Sequence, residues 1–127
     1  MGQAKRLEGS RRNMPRGRTK NYLMIDSISR LEKFAGRLEK QKVIGVDLEA
    51  DSMYHFKEKV CMIQIAAQHA TAVIDPLRIK NLSVLNPVFR RADIQKIFHR
   101  ADYDVRSLYR DFRISVNKLY DTELSSR

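Results

Sequence analysis

A chain of 127 residues is long enough for one domain with its own core, and 43% hydrophobic with 31% charged side chains is the balance of an ordinary globular protein. A formal net charge of +10 points to a polyanion as partner, either nucleic acid or an anionic surface. No apolar run approaches the roughly 20 residues of a membrane span, and the N-terminus lacks the apolar core of a secretion signal. The first stretch is basic and poor in acids, as in a transit peptide, but the cytoplasm is the preferred compartment. The single Cys61 excludes an internal disulfide and a cysteine zinc cluster.

The charge is uneven. Residues 1–20 hold seven Lys or Arg against Glu8, a net +6, and the other 107 residues hold 18 basic and 14 acidic side chains, a net +4. With Gly2, Gly9, Pro15 and Gly17 breaking a basic background, residues 1–20 read as a disordered arm. Arg11, Arg12, Arg16 and Arg18 fit either a nonspecific nucleic-acid contact or a solvated tail without a partner. Order is expected from about residue 21. Tyr22 to Ile25 reads as a strand, and Asp26, Ser27 and Ser29 offer helix caps, with Ser29-x-x-Glu32 fitting a capping box. Ile28, Leu31, Phe34, Ala35 and Leu38 then recur at helical spacing through Lys40. Three strands follow: Lys42 to Glu49, Val60 to Ala66 and Thr71 to Asp75, the last two joined by a gap short enough for a hairpin. Leu82 to Arg91 reads as a short helix that tolerates Pro87 only in its first turn or at a kink. Ile94 to His99 is a strand, and Ala101 to Phe112 a helix with Val105, Leu108, Tyr109 and Phe112 inward. Lys118 to Asp121 is a last strand, and Thr122 begins a further element. Hairpins first and helix crossovers later predict a mixed α/β sheet flanked by helices.

Asp47 and Glu49 end an apolar strand, and residues two apart on a strand face the same side. Two such carboxylates repel and resist desolvation unless a cation lies between them, and oxygen-only ligands suit Mg²⁺ or Mn²⁺ rather than Zn²⁺. The plainer account is a strand that ends in polar residues at the surface. Asp104 lies in the first turns of the helix after the Ile94–His99 strand, where ligands of such sheets gather. It reads either as a third metal ligand or as an acid stabilising the helix dipole, a role for which Asp102 competes. Gln64 alternates with Met62 and reads either as a cleft residue or as a hydrogen-bonded strand residue. Met53 and Tyr54 either line a nucleotide site, with Tyr54 stacking on a base, or form a turn. His99 reads as a structural histidine or a substrate contact, and Arg100 and Arg106 as a solvated face or a phosphate contact. Cys61 and Met62 are assigned to the core.

VIGVDLEADSMYHFKEKVCMIQIA (residues 43–66) resembles the first exonuclease motif of ribonuclease D and its eukaryotic exosome relatives. AVIDPL (72–77) is similar to the segment after that hairpin, IFHRADYDVRSL (97–108) resembles the second motif, and LYDTEL (119–124) resembles the strand and helix start that follow it. The resemblance runs over roughly residues 21–127 in the family's order and spacing. It implies an RNase H-like fold of the DEDD superfamily and two-metal-ion 3′–5′ hydrolysis of phosphodiesters at RNA 3′ ends, such as trimming of tRNA or other structured RNA, with DNA as a further possibility. It also implies that Asp47 bridges two Mg²⁺ or Mn²⁺ ions, that Glu49 binds the ion activating the water, and that Asp104 holds the second ion. The chain ends before any segment like the family's third motif, which brings a fourth Asp with a Tyr or His, so the expectation is a partial domain, truncated at the C-terminus, with weak or no activity by itself. The alternative is a non-catalytic nucleic-acid-binding module that has lost that motif, and a basic ribosome-associated protein ranks last.

Overall fold

The computed structural model describes residues 22–51 and 59–125. Six strands, β1 (Tyr22–Ile25), β2 (Val43–Asp51), β3 (Lys59–Ala67), β4 (Ala70–Ile74), β5 (Gln95–Phe98) and β6 (Leu119–Asp121), form one sheet in the order β1-β4-β3-β2-β5-β6. β2, β3 and β4 pair antiparallel, while β1 is parallel to β4, β5 to β2 and β6 to β5. This is the mixed sheet expected from hairpins followed by helix crossovers. The β3–β4 hairpin closes through Gln68 and His69, and His69 takes a positive φ of 72°, which histidine tolerates better than most side chains.

Register decides which side chains share a face. Val46 lies opposite Ile65 and Leu48 opposite Ile63, and these strand residues are buried with Ile25, Ile44, Ala72 and Ile74. Helix α1 (Ile28–Leu38) adds Leu31, Phe34, Ala35 and Leu38 to the same core. Each fully buried Leu or Phe there stabilises the fold by roughly 1.5–3 kcal/mol relative to an exposed position. Ser27 caps α1 by accepting from the Arg30 N–H at 3.3 Å. The capping box expected at Ser29 therefore does not form, because Ser29 already lies inside the helix. Ile28, expected to face inward, is exposed in the first turn.

The segment expected as one helix over 82–91 splits into a 3-10 turn at Ser83–Leu85 and α2 (Asn86–Arg90), with Pro87 in the first turn of α2. There its missing N–H leaves no helical bond unmade. Leu82, Leu85, Val88 and Phe89 are all buried. Helix α3 (Ala101–Phe112) buries Leu108, while Val105 and Phe112 pack partly against the core. Tyr109, expected inward, is 51% exposed, and Arg113 stacks on its ring at 5.0 Å from the centroid. Arg113 ends α3 in the left-handed region, donating its N–H to Tyr109 O at 3.0 Å, and Ile114 N–H donates to Leu108 O at 3.3 Å. Cys61 and Met62, expected in the core, are half-buried on β3. A short helix, α4 (Thr122–Ser125), follows β6 directly.

One core residue is ionisable. Lys96 of β5 is fully buried, and its Nζ donates to Arg91 O at 2.6 Å and Asn117 O at 2.9 Å. It thus ties the loop after α2 to the segment before β6. Burial pushes its pKa down to about 8, against a smaller opposing pull from Asp93.

Candidate active site

Parallel pairing sets Gly45 of β2 beside Ile97 of β5. Two residues further along, Asp47 and His99 reach the same level toward the carboxyl ends of these strands, and α3 begins just beyond. Asp47 sits on the exposed face of β2, opposite Gln64 of β3. Asp47, Gln64, His99 and Thr122 line one cleft of about 400 Å³.

Asp104 approaches this cleft from α3. Its carboxyl lies on the packed side of the helix with Ala101, Ser107 and Leu108, and the residue is only 6% exposed. Burial pushes its pKa up to about 6, and the negative fields of Asp47 and Asp121 add to that, while Arg100 and His99 partly offset it. A buried acid beside a second acid favours the protonated form unless a cation intervenes. Asp104 thus lies in the electrostatic field of both Asp47 and His99.

Asp121 is the residue that sequence reasoning missed. Its Oδ2 accepts from Ala101 N–H at 3.1 Å and its Oδ1 from Glu123 N–H at 2.9 Å, so one carboxylate from the end of β6 caps both α3 and α4. The signal for the second cap was legible as an Asp directly before a helix start. Arg100, the residue before α3, makes no side-chain cap, and Asp102 pairs with Arg106 at 3.3 Å on the exposed side of the helix. His99 is placed by Thr122, with Nδ1 and Oγ1 3.0 Å apart.

Glu49 shares the face of Asp47, as strand periodicity requires, but lies opposite Met62 at the edge of a bulge between Glu49 and Ala50. Its field is felt at Cys61, whose thiol is pushed up first by burial and then by Asp51 and Glu49. Among the described residues, no three His, Cys, Asp or Glu side chains gather closely enough to hold one metal ion. The donor set is still informative. Burial first and the charge of Asp47 second raise the cost of ionising Asp104, and a hard divalent cation between the two carboxylates would reverse that cost. This pair fits such an ion, and Glu49 does not join it in this conformation. Met53 and Tyr54, and Arg11, Arg12, Arg16 and Arg18 of the arm, lie outside the described residues.

A sequence profile of a family described as 3′–5′ exonuclease matches residues 22–127. Protein RRP6-like 3 of Arabidopsis thaliana is 36% identical over 103 residues, covering 80% of this chain and 12% of that protein. Exosome complex exonuclease RRP6 of Saccharomyces cerevisiae is 34% identical over 106 residues, covering 83% of this chain and 14% of its own length. The chain thus spans only about an eighth of the relatives it matches. Among solved structures, the catalytic core of RRP6 from Trypanosoma brucei superposes with a TM-score of 0.78 at 32% identity, over 82% of this chain and 29% of that one. Escherichia coli RNase D, an exoribonuclease involved in structured RNA processing, gives a TM-score of 0.78 at 25% identity, over 84% of this chain and 28% of that one.

Proposed function

The chain belongs to the 3′–5′ exonuclease family, and from that premise we propose that it forms part of an enzyme that shortens RNA from its 3′ end. The observation that carries this reading is a buried acid, Asp104, held in the field of Asp47 beside a cleft open to solvent. A fold does not gather two acids in this way for its own stability. Asp47 and Asp104 would hold Mg²⁺ or Mn²⁺, and a two-ion site would further require Glu49, on the same face of β2 as Asp47, to turn toward them. When bound, such ions supply the positive charge that offsets charge built up on the phosphate under attack.

The remaining roles belong to the chain. Asp47, Glu49 and Asp104 are ligands and move no proton. Gln64 and His99 line the cleft and offer hydrogen bonds to the terminal nucleotide, with His99 held in orientation by Thr122. Met53 and Tyr54 are assigned to the 3′ nucleotide, Tyr54 by stacking. The basic arm, through Arg11, Arg12, Arg16 and Arg18, would add nonspecific attraction to the RNA backbone. RNA is preferred to DNA because the yeast relative is an exosome exonuclease and the bacterial neighbour processes structured RNA. Trimming of structured RNA such as tRNA 3′ ends is the finer reading. Composition suggests the cytoplasm and the relatives' names suggest association with an exosome, and fractionation of tagged protein decides between them. No helix among the described residues is long and apolar enough to cross a membrane.

One observation favours a second reading, a nucleic-acid-binding module without cleavage: three acids are not gathered among the described residues. A single assay separates the two. Single-stranded RNA labelled at its 5′ end is incubated with the chain in Mn²⁺, beside the Asp47→Ala form. A ladder that shortens from the 3′ end and vanishes in the variant supports the enzyme. Bound but uncut RNA, with the protein folded, supports the binding module.

A further inference from the structure

A cationic cavity of about 360 Å³ opens where the start of β3, the loop after β4 and the end of α3 meet. Lys59, Lys80 and Arg110 line it, Pro76 and Leu77 give it an apolar wall, and Asp111 is the only acid among its described lining residues. That acid is engaged within the cavity wall. Asp111 Oδ2 accepts from Val60 N–H at 2.8 Å, and Arg110 meets both carboxylate oxygens at 2.7 and 3.1 Å. Burial alone would raise the Asp111 pKa, but the bonds from Arg110 and Val60 and the charges of Arg110 and Lys59 outweigh it and hold the carboxylate ionised. With Arg110 and Asp111 paired, Lys59 and Lys80 leave the cavity positive.

The cations are also held in place. The Asp111–Val60 bond fastens the end of α3 to the start of β3, which keeps Arg110 beside Lys59. Asp75 pins the loop carrying Lys80, with its Oδ1 accepting from Leu77 N–H at 2.9 Å and its carbonyl from Arg78 and Ile79 N–H at 3.1 Å, and Ile79 is buried beneath it. Charges fixed before a ligand arrives need less ordering on binding. The position is informative as well. Asp111 lies seven residues beyond Asp104, a distance of about 10 Å along α3. At roughly 3.4 Å per stacked nucleotide, that is a few nucleotides from the cleft.

Resting on the exonuclease reading above, we propose that this cavity is a second phosphate-binding subsite, which grips the RNA backbone a few nucleotides upstream of the 3′ end. Long RNA would engage both the cleft and the subsite, and a dinucleotide only the cleft.

The test measures binding of a fluorescent oligouridylate of about a dozen nucleotides by anisotropy, with a dinucleotide as competitor, in EDTA so that nothing is cut. The Lys59→Gln/Lys80→Gln form of the full chain should bind the long RNA roughly tenfold more weakly, with a salt slope shallower by about 1.4. Its affinity for the dinucleotide and its melting temperature should stay at the unsubstituted values. The Lys59→Arg/Lys80→Arg form should keep the long-RNA affinity. Unchanged long-RNA binding in the Gln form, equal loss for both ligands, or failure of the Arg form overturns the subsite. If the subsite falls while metal-dependent 3′ shortening persists, the exonuclease reading stands. If the unsubstituted chain binds no RNA of either length in EDTA, the subsite falls, and the exonuclease reading falls with it only where Mn²⁺ also brings no 3′ shortening.

Discussion

Replacing Asp104 by Asn should make the metal-free protein more stable. Asp104 is nearly buried, and burial, with Asp47 and Asp121 behind it, moves its pKa from 3.8 to about 6. A folded pKa raised above the unfolded value means that the native state holds the proton more tightly. The stability this contributes is complete below the unfolded value and is lost as pH rises through the folded one. At about pH 7.5 the ionised carboxylate therefore costs the native state roughly 3 kcal/mol. Asn keeps the volume and removes the charge, but its buried amide still needs partners, so the expected gain is roughly 1–3 kcal/mol. For a domain of this size that raises Tm by about 5–10 °C. Calorimetric melts in EDTA give the comparison, and the advantage of Asp104→Asn should shrink as pH falls from about 6 toward 4. If Asp104→Asn melts at or below the unsubstituted chain near neutral pH, or the difference ignores pH, the electrostatic account of Asp104 is wrong.

Lys96 gives the opposite pH window. Its folded pKa is lowered from 10.5 to about 8, so the unfolded chain binds the proton more tightly and stability should rise between those pH values. Chemical denaturation of the Lys96→Met form should show no such rise, and near neutral pH this form also leaves the Arg91 and Asn117 carbonyls unpaired. Asp121→Ala removes the caps of both α3 and α4 and should lower stability by about 1–3 kcal/mol, whereas Asp121→Asn, whose single amide oxygen can serve only one of the two N–H donors, should lose about half as much in the same urea titration. Ser27→Ala should cost about 1 kcal/mol through the lost α1 cap, and Ser29→Ala should cost far less, read by thermal melts of the two variants. In titration calorimetry, Mn²⁺ should bind the unsubstituted chain and not Asp47→Ala, and heat from both forms alike would remove Asp47 from the metal site.

Much of the fold was legible because local chemistry and global packing agree. KVIGV and VCMIQIA are β-branched, apolar runs of strand length, and both pair near the middle of the sheet. Pro87 could occupy either a first turn or a kink, and α2 places it in its first turn. The errors concern which side of an element meets another layer. Helical spacing put Ile28 and Tyr109 with their apolar neighbours, yet both are exposed, because periodicity gives a stripe and not the limits of the surface that covers it. Of the caps offered by Asp26, Ser27 and Ser29, the structure uses Ser27, because the helix begins two residues before the start that the capping box at Ser29 implies. Lys96 could not be foreseen as a core residue, since its two carbonyl partners belong to segments five and 21 positions away that converge only in the folded chain.

The same distinction governs the candidate site. Period-two alternation put Asp47 and Glu49 on one face, as the register of β2 has them, and the strand-to-helix order led to Asp104, which lies in the field of Asp47. The relative positions of these acids could not be read from sequence. The bulge between Glu49 and Ala50 is a property of how β2 meets β3, and Asp121 reaches Ala101 across 20 positions of sequence. Local rules also fail at Asp104 in an instructive way. An acid in the first turn of a helix satisfies the dipole equally well when exposed, as Asp102 is, and gains nothing from burial next to Asp47. Departures of this kind, where the fold carries a cost that packing does not require, concentrate at functional sites. Of the three acids that sequence chemistry nominated, Asp104 is the one at which the structure gives up stability, and a cation binding beside it would offset that loss.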